Sequence, residues 1–190
     1  MKFQITFTLS LFALSSALSA QTIFNGYAYV SDTTAGVDAN WYNLSGTAQG
    51  SGFNGANLGN FTNALWLGGQ TGFWSDSQGV EYIKMNYNIT GSATATGSVD
   101  YEFQSYSAPN DQQGTDVSGA VTSDLSTNII AAHSLGAGTY NIAVWVEGKA
   151  NNRAVIFDSN NSNNYTAAFT VVPENSMLAL LSGSFFLLYV

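Results

Sequence analysis

The sequence predicts an all-β fold: a single antiparallel β-sandwich, immunoglobulin-like or jelly-roll-like, flanked by an N-terminal signal peptide and a C-terminal hydrophobic helix. Three observations predict it. Between Gln21 and Val171 no helical period persists, and apolar residues alternate with polar ones instead. The alternating runs are short, eight or nine of them. Clusters of Gly, Asn and Ser separate one run from the next. The expected organisation is a leader over 1–20, a sandwich domain over 21–171 and a sorting and anchoring segment over 172–190.

The leader comes first. Lys2 supplies a positive start, Ile5 to Leu14 an apolar stretch, and Ser15 to Ala20 a run of small and polar residues broken only by Leu18. That order is the pattern of a secretory signal peptide, with cleavage by signal peptidase expected after Ala20.

Composition agrees with an exported β protein. The chain is 45% hydrophobic, enough to fill a core, yet only 8% charged, so its polar surface must come from hydroxyl and amide groups. With 12 acidic residues against 4 basic ones it cannot displace phosphate counterions, and nucleic acid is excluded as a partner. It has no cysteine, which excludes disulfides and thiolate metal sites.

The strands follow in order. Ile23–Val30 carries Tyr27 and Tyr29 two apart, and Ala39–Tyr42 and Ala64–Leu67 are shorter candidates. Glu81–Thr90 alternates through Ile83, Met85, Tyr87 and Ile89. Ser98–Tyr106 sets Val99, Tyr101 and Phe103 against Asp100, Glu102 and Gln104. Asn128–Ala132 and Ala154–Phe157 are further short candidates. Thr139–Glu147 alternates through Tyr140, Ile142, Val144 and Val146, and Tyr165–Val171 closes the domain. Turn signals are expected at Gly46–Gly59, Gly68–Gly72 and Ser159–Asn164. The spacing Leu135-x-x-Gly138-x-Tyr140-x-Ile142-x-Val144 predicts a tyrosine corner, its hydroxyl bonded back to upstream backbone.

Beyond Val171 the chain reads Val172-Pro173-Glu174-Asn175-Ser176, then the apolar run Met177 to Val190. Val172, Pro173 and Glu174, with Ser176, Ala179, Leu180, Leu181 and Gly183 after them, resemble the PEP-CTERM sorting signal. Asn175 stands where that signal has its second proline. The apolar run has 14 residues where about 20 cross a bilayer, and no Lys or Arg follows it, so a truncated or divergent signal is expected. The resemblance implies export across the inner membrane and transient anchoring there. It further implies recognition by an exosortase-type membrane peptidase, then release to the cell surface or extracellular matrix, in bacteria that make exopolysaccharide and biofilm. A second stretch, Phe53 to Phe61 with Leu67-Gly68-Gly69-Gln70, is similar to secreted β-sandwich modules of surface-attached bacteria, as is the last strand Asn163 to Val171.

The middle of the chain offers little chemistry. His133 is the lone histidine, and no Gly-x-Ser-x-Gly elbow surrounds a serine, so neither a triad nor a multi-histidine metal site is expected. Glycoside hydrolysis needs two carboxylates roughly 5–10 Å apart, and the sequence brings no pair of Glu81, Glu102 and Glu147 together. No enzyme and no cofactor is expected. Calcium is the one ion to consider, at the oxygen-rich loops 110–116 and 158–164, which lack EF-hand spacing and read more simply as solvated turns. Trp41, Tyr42, Trp74 and Trp145 are the candidate glycan-binding residues, since flat aromatic faces stack on sugar rings; core packing is the competing role. The function expected is therefore that of a non-catalytic exported surface or matrix protein, associated with exopolysaccharide. A carbohydrate-binding module using loop aromatics is the alternative, and a small jelly-roll glycoside hydrolase the weaker one.

Overall fold

The computed structural model describes residues 21–33, 39–44, 51–75, 79–108, 111–115 and 126–174, with backbone alone at 51, 103–108 and 111–115. The leader with Ala20, and the tail from Asn175 onward, lie outside the described residues. In chain order the elements are β1 (Gln21–Ser31), β2 (Asn40–Asn43), β3 (Ser51–Gly52), β4 (Ala56–Phe61), β5 (Trp66–Ser75), β6 (Val80–Gly91) and β7 (Ala95–Asp100). Then come β8 (Glu102–Ala108), β9 (Asp111–Thr115), β10 (Thr127–Asn128), α1 (Ile129–His133), β11 (Gly138–Ala150), β12 (Ile156–Asp158) and β13 (Tyr165–Val171). The fold is mostly β-sheet, in two sheets. The first runs β3-β2-β1-β5-β9-β8, with β10 also on β5; the second runs β4-β13-β11-β6-β7, with β12 on β11.

Alternation explains the core. On β6 and β11 every second residue is buried: Ile83, Met85, Tyr87 and Ile89 on one strand, Tyr140, Ile142, Val144 and Val146 on the other. They join Ala28 and Val30 of β1, Leu67 and Phe73 of β5 and Ala167, Phe169 and Val171 of β13 in one hydrophobic cluster fed by both sheets. Each fully buried aliphatic or aromatic side chain contributes about 1.5–3 kcal/mol. The sheets approach closely at Gly148, where an added Cβ would stand 2.7 Å from two ring carbons of Phe73. The tyrosine corner forms as its spacing predicts, with the Tyr140 hydroxyl donating to the Gly136 carbonyl at 2.8 Å.

Five expectations need correction. Gly46–Gly59 is not a turn throughout, because β3 lies inside it and β4 begins at Ala56, paired with β13. Ser98–Tyr106 is not one strand. It breaks at Tyr101, so that β7 pairs with β6 in the second sheet and β8 with β9 in the first. Tyr101 keeps its amide on Ile83 at 2.9 Å, and its hydroxyl would lie 2.4 Å from a Cβ on Gly69. The polar/apolar alternation continues unbroken through the switch, so periodicity alone cannot reveal it.

Gly68–Gly72 is not a turn but the middle of β5. Two of its glycines are there for room. A Cβ on Gly72 would meet the Phe24 ring at 2.4 Å, and one on Gly69 the Tyr27 carbonyl at 2.3 Å. Asn128–Ala132 is not a strand either. Asn128 caps a helical turn, its Oδ1 accepting from the Ala131 amide at 3.2 Å, and Ser134 closes the turn in the left-handed region (φ 50°). Finally, pairing is not antiparallel throughout: β2–β3 and β4–β13 are parallel. The β4–β13 partners are far apart in sequence, which leaves the chain length a parallel crossover requires.

Candidate functional site

The four aromatics named from the sequence separate into three environments. Directly opposed residues share a sheet face, and the register places Trp41 across from Tyr29, Trp66 across from Ser31 and Trp74 across from Thr22. Their neighbours Val30, Leu67 and Phe73 belong to the core, so Trp41, Trp66 and Trp74 occupy the opposite face of the first sheet. Trp41 is 41% exposed and leans on the buried Tyr29, with ring centroids 5.1 Å apart. Along β5 the face alternates Trp66, Gly68, Gln70, Gly72 and Trp74, and Phe24 of β1 lies over Gly72. The missing side chain at Gly72 lets the Phe24 ring lie down on the sheet. Trp66 is not among the sequence candidates, since by composition the glycines beside it mark a turn; its even spacing from Trp74 is the signal that places both on one face.

Tyr42 points the other way. It packs edge-on to the buried Phe53 at 5.9 Å and is part of the core lining. Trp145 sits on the second sheet, on the face away from the core, and the structure does not bring it near the first three.

Trp145 has polar company. The register aligns Phe157, Glu147, Lys84 and Asp100 across β12, β11, β6 and β7, and Trp145, Asn86 and Ser98 in the neighbouring row. Glu147 is the hub. It accepts from the Tyr82 hydroxyl at 2.6 Å and from the Asn86 amide at 3.0 Å, and it pairs with Lys84 at 3.3 Å. Burial pushes the Glu147 carboxyl up, but the bonds from Tyr82 and Asn86 and the charge of Lys84 outweigh it and hold the group below its ordinary range. Donation to that carboxylate pushes the Tyr82 hydroxyl up to about 12, with burial adding to it. Lys84 also lies over the Tyr82 ring, 5.2 Å from its centroid. A second pair forms beside it, Lys149 with Glu81 at 2.7 Å, because the register skips Glu81 in a bulge. Phe157, 58% exposed, edges the patch. The patch thus offers fixed hydrogen-bonding groups between two aromatic side chains.

His133 has a structural partner. Its Nε2 is 2.8 Å from the hydroxyl of Tyr87, which is buried, so the pair satisfies a phenol at the rim of the core. Burial raises the Tyr87 hydroxyl above its ordinary value.

Of the two oxygen-rich loops, 111–115 forms the backbone of β9, and the side chains there lie outside the described residues, as do Asn110 and Asp116. The other, 158–164, is a turn with Asn160, Asn161, Ser162 and Asn164 at φ of 49°, 55°, 70° and 56°. Left-handed backbone costs an L-residue about 1–2 kcal/mol, somewhat less for Asn. This turn borders a pocket of about 320 Å³ that Asp158, Tyr165 and Asn54 also line. The Tyr165 hydroxyl donates to Asp158 Oδ1 at 2.7 Å, and burial followed by that carboxylate raises it above its ordinary value. Among the described residues no three His, Cys, Asp or Glu side chains gather as metal ligands.

The sorting motif begins where β13 ends. The Val172 amide donates to the Phe61 carbonyl at 2.8 Å, Pro173 and Glu174 are exposed, and the Glu174 carboxylate accepts from the Asn63 amide. Among the described residues no helix is long and apolar enough to cross a membrane. Compared with protein-family models and with curated protein sequences, the chain matches none.

Proposed function

We propose that this chain is a non-catalytic exported protein of the cell surface or extracellular matrix, sorted through its C-terminal PEP-CTERM-like signal and set among exopolysaccharide. In this reading the two sheets form a β-sandwich, immunoglobulin-like or jelly-roll-like, supported by their common core and by the Tyr140 corner. The observation that carries the sorting reading is the position of Pro173 and Glu174. They lie exposed two and three residues past the end of the last strand. A membrane-bound peptidase needs an accessible, extended segment, and here that segment leaves the fold without an intervening linker. The partners are signal peptidase after Ala20, then an exosortase-type peptidase at Val172-Pro173-Glu174.

Mass spectrometry of the full chain, expressed in a host with and without such a peptidase, tests this. The expected product in the peptidase-containing host lacks the apolar tail, and Pro173→Ala with Glu174→Ala keeps it attached. A mature protein that retains the residues through Val190 in that host refutes the reading.

The second reading is a carbohydrate-binding module. Trp41, Trp66 and Trp74 on one outward sheet face support it, since three indoles carried by β2 and β5 on either side of β1 offer stacking positions to sugar rings. Retention of the chain on insoluble polysaccharide, lost on Trp41→Ala with Trp74→Ala, is the result expected. Equal retention of the variant would count against that face.

A further inference from the structure

We propose that the pocket at the meeting of β2, β3, β12 and β13 binds the terminal sugar unit of a neutral polysaccharide through its hydroxyl groups. The inference rests on the saccharide-binding reading above and assigns it a second surface, independent of the sorting signal.

The chemistry of the lining carries it. Asn43, Asn54, Asn160 and Asn161 bring side-chain amides, Tyr165 a phenol and Asp158 a carboxylate. Each amide carries both donors and an acceptor, and so does each hydroxyl of a sugar, so neighbouring amides match neighbouring hydroxyls. Among the described residues no Lys or Arg lines the pocket, which disfavours phosphate, sulfate or carboxylate ligands. Among the described residues Asp158 is the one carboxylate lining it, too few for a hard cation that takes six to eight oxygens. The volume of about 320 Å³ lies at the small end of the roughly 300–1,000 Å³ typical of ligand pockets, suited to one or two sugar rings.

The site is held in place. The Tyr165 hydroxyl fixes Asp158 through Oδ1, and the Asp158 Oδ2 lies 3.4 Å from where a Cβ on Gly26 would stand. The Thr166 amide and hydroxyl bond to Asn54 Oδ1 at 3.2 and 3.1 Å, which turns the Asn54 NH₂ group away from that contact. Three consecutive left-handed residues, Asn160, Asn161 and Ser162, set the amides of the turn. Backbone in that region persists where its surroundings impose it, and such residues cluster at ligand clamps. Leu44 adds an apolar wall. Gly52 leaves the wall open, since a Cβ built there meets nothing within 4 Å.

Gly52 also provides the test. Gly52 lines the pocket and a Cβ there meets no described atom within 4 Å, so Gly52→Leu adds bulk at the pocket wall without a clash at Cβ; Asn161→Gly, at an exposed residue in the left-handed region, removes an amide without straining the turn and is the second variant. The purified full chain is titrated with D-glucose, D-galactose, D-mannose and N-acetylglucosamine to about 10 mM, enough to detect a Kd near 1 mM. Side-chain and backbone amide NMR signals are followed. The expected result is shifts centred on Asn54, Asn160 and Asn161 with at least one sugar, weakened about tenfold or more by Gly52→Leu or Asn161→Gly. Binding that survives both variants and disappears with Trp41→Ala and Trp74→Ala overturns the pocket while leaving the saccharide reading standing. Shifts of the same signals with calcium chloride and with none of the sugars overturn it as a cation site. No response to any sugar, at the pocket or elsewhere, removes both.

Discussion

Replacing Tyr140 by Phe removes one oxygen atom and one hydrogen bond, and the structure sets what that should cost. The ring is 1% exposed and stacks on Phe169, with centroids 5.2 Å apart and planes 17° from parallel. Phe keeps all of that. Only the 2.8 Å bond to the Gly136 carbonyl is lost. A neutral hydrogen bond is worth about 0.5–1.5 kcal/mol net. Leaving a buried acceptor empty would add to this, but Gly136 is exposed and its carbonyl takes up water instead. The expected destabilisation is therefore about 1 kcal/mol. For Tyr140→Ala the ring goes as well, and about 3–5 kcal/mol is expected from the cavity and the lost stacking. Urea titration followed by tryptophan fluorescence measures both, with the slope unchanged if the surface exposed on unfolding is unchanged. In thermal unfolding a domain of this size should lose about 2–4 °C per kcal/mol. A Tyr140→Phe chain as stable as the parent would refute the corner's role in holding the entry to β11. An Ala variant no worse than Phe would refute the packing argument as well.

Two further outcomes follow from the geometry. Glu147 has its carboxyl pKa lowered by folding, so its contribution is fully present above the unfolded value of about 4.3 and lost as pH falls through the folded value. Glu147→Gln should destabilise by about 1–2 kcal/mol at neutral pH, with the gap to the parent closing below about pH 4 in urea titrations; a gap independent of pH would show the charge plays no part. Gly148→Ala puts a methyl 2.7 Å from the buried Phe73 ring, which should cost about 1–3 kcal/mol. Phe73→Leu in the same chain should recover part of that loss in calorimetry, and additive losses would place the strain elsewhere.

Strand identity was legible where a face is buried along its whole length. Tyr165–Val171 has the bounds its alternation predicts, and Thr139–Glu147 falls inside the longer β11. Those strands carry a side chain to the core at every second step, and period two is the direct imprint of that burial. Legibility failed where local chemistry and tertiary context disagree. Gly69 and Gly72 are turn residues by composition, yet β5 needs them because the Tyr27 carbonyl, the Tyr101 hydroxyl and the Phe24 ring occupy the space their side chains would fill. Asn128 reads as part of an apolar run, but its side chain caps the next turn. For the candidate sites the split was similar. The aromatic types were visible and their faces were not: Tyr42 turns inward, Trp145 takes the other sheet, and Trp66 joins Trp41 and Trp74.

By its own order of residues the chain determined its β character, its corner at Tyr140 and its lack of cysteine chemistry, since each depends on neighbours a few positions apart. Pairing decided the rest. That β7 and β8 part at Tyr101 into different sheets, that β4 finds β13 as a parallel partner, and that Asp158 meets Asn54 across a pocket are contacts between distant segments. Alternation is the same on either sheet and for either partner. Only the filling of one common core selects among them.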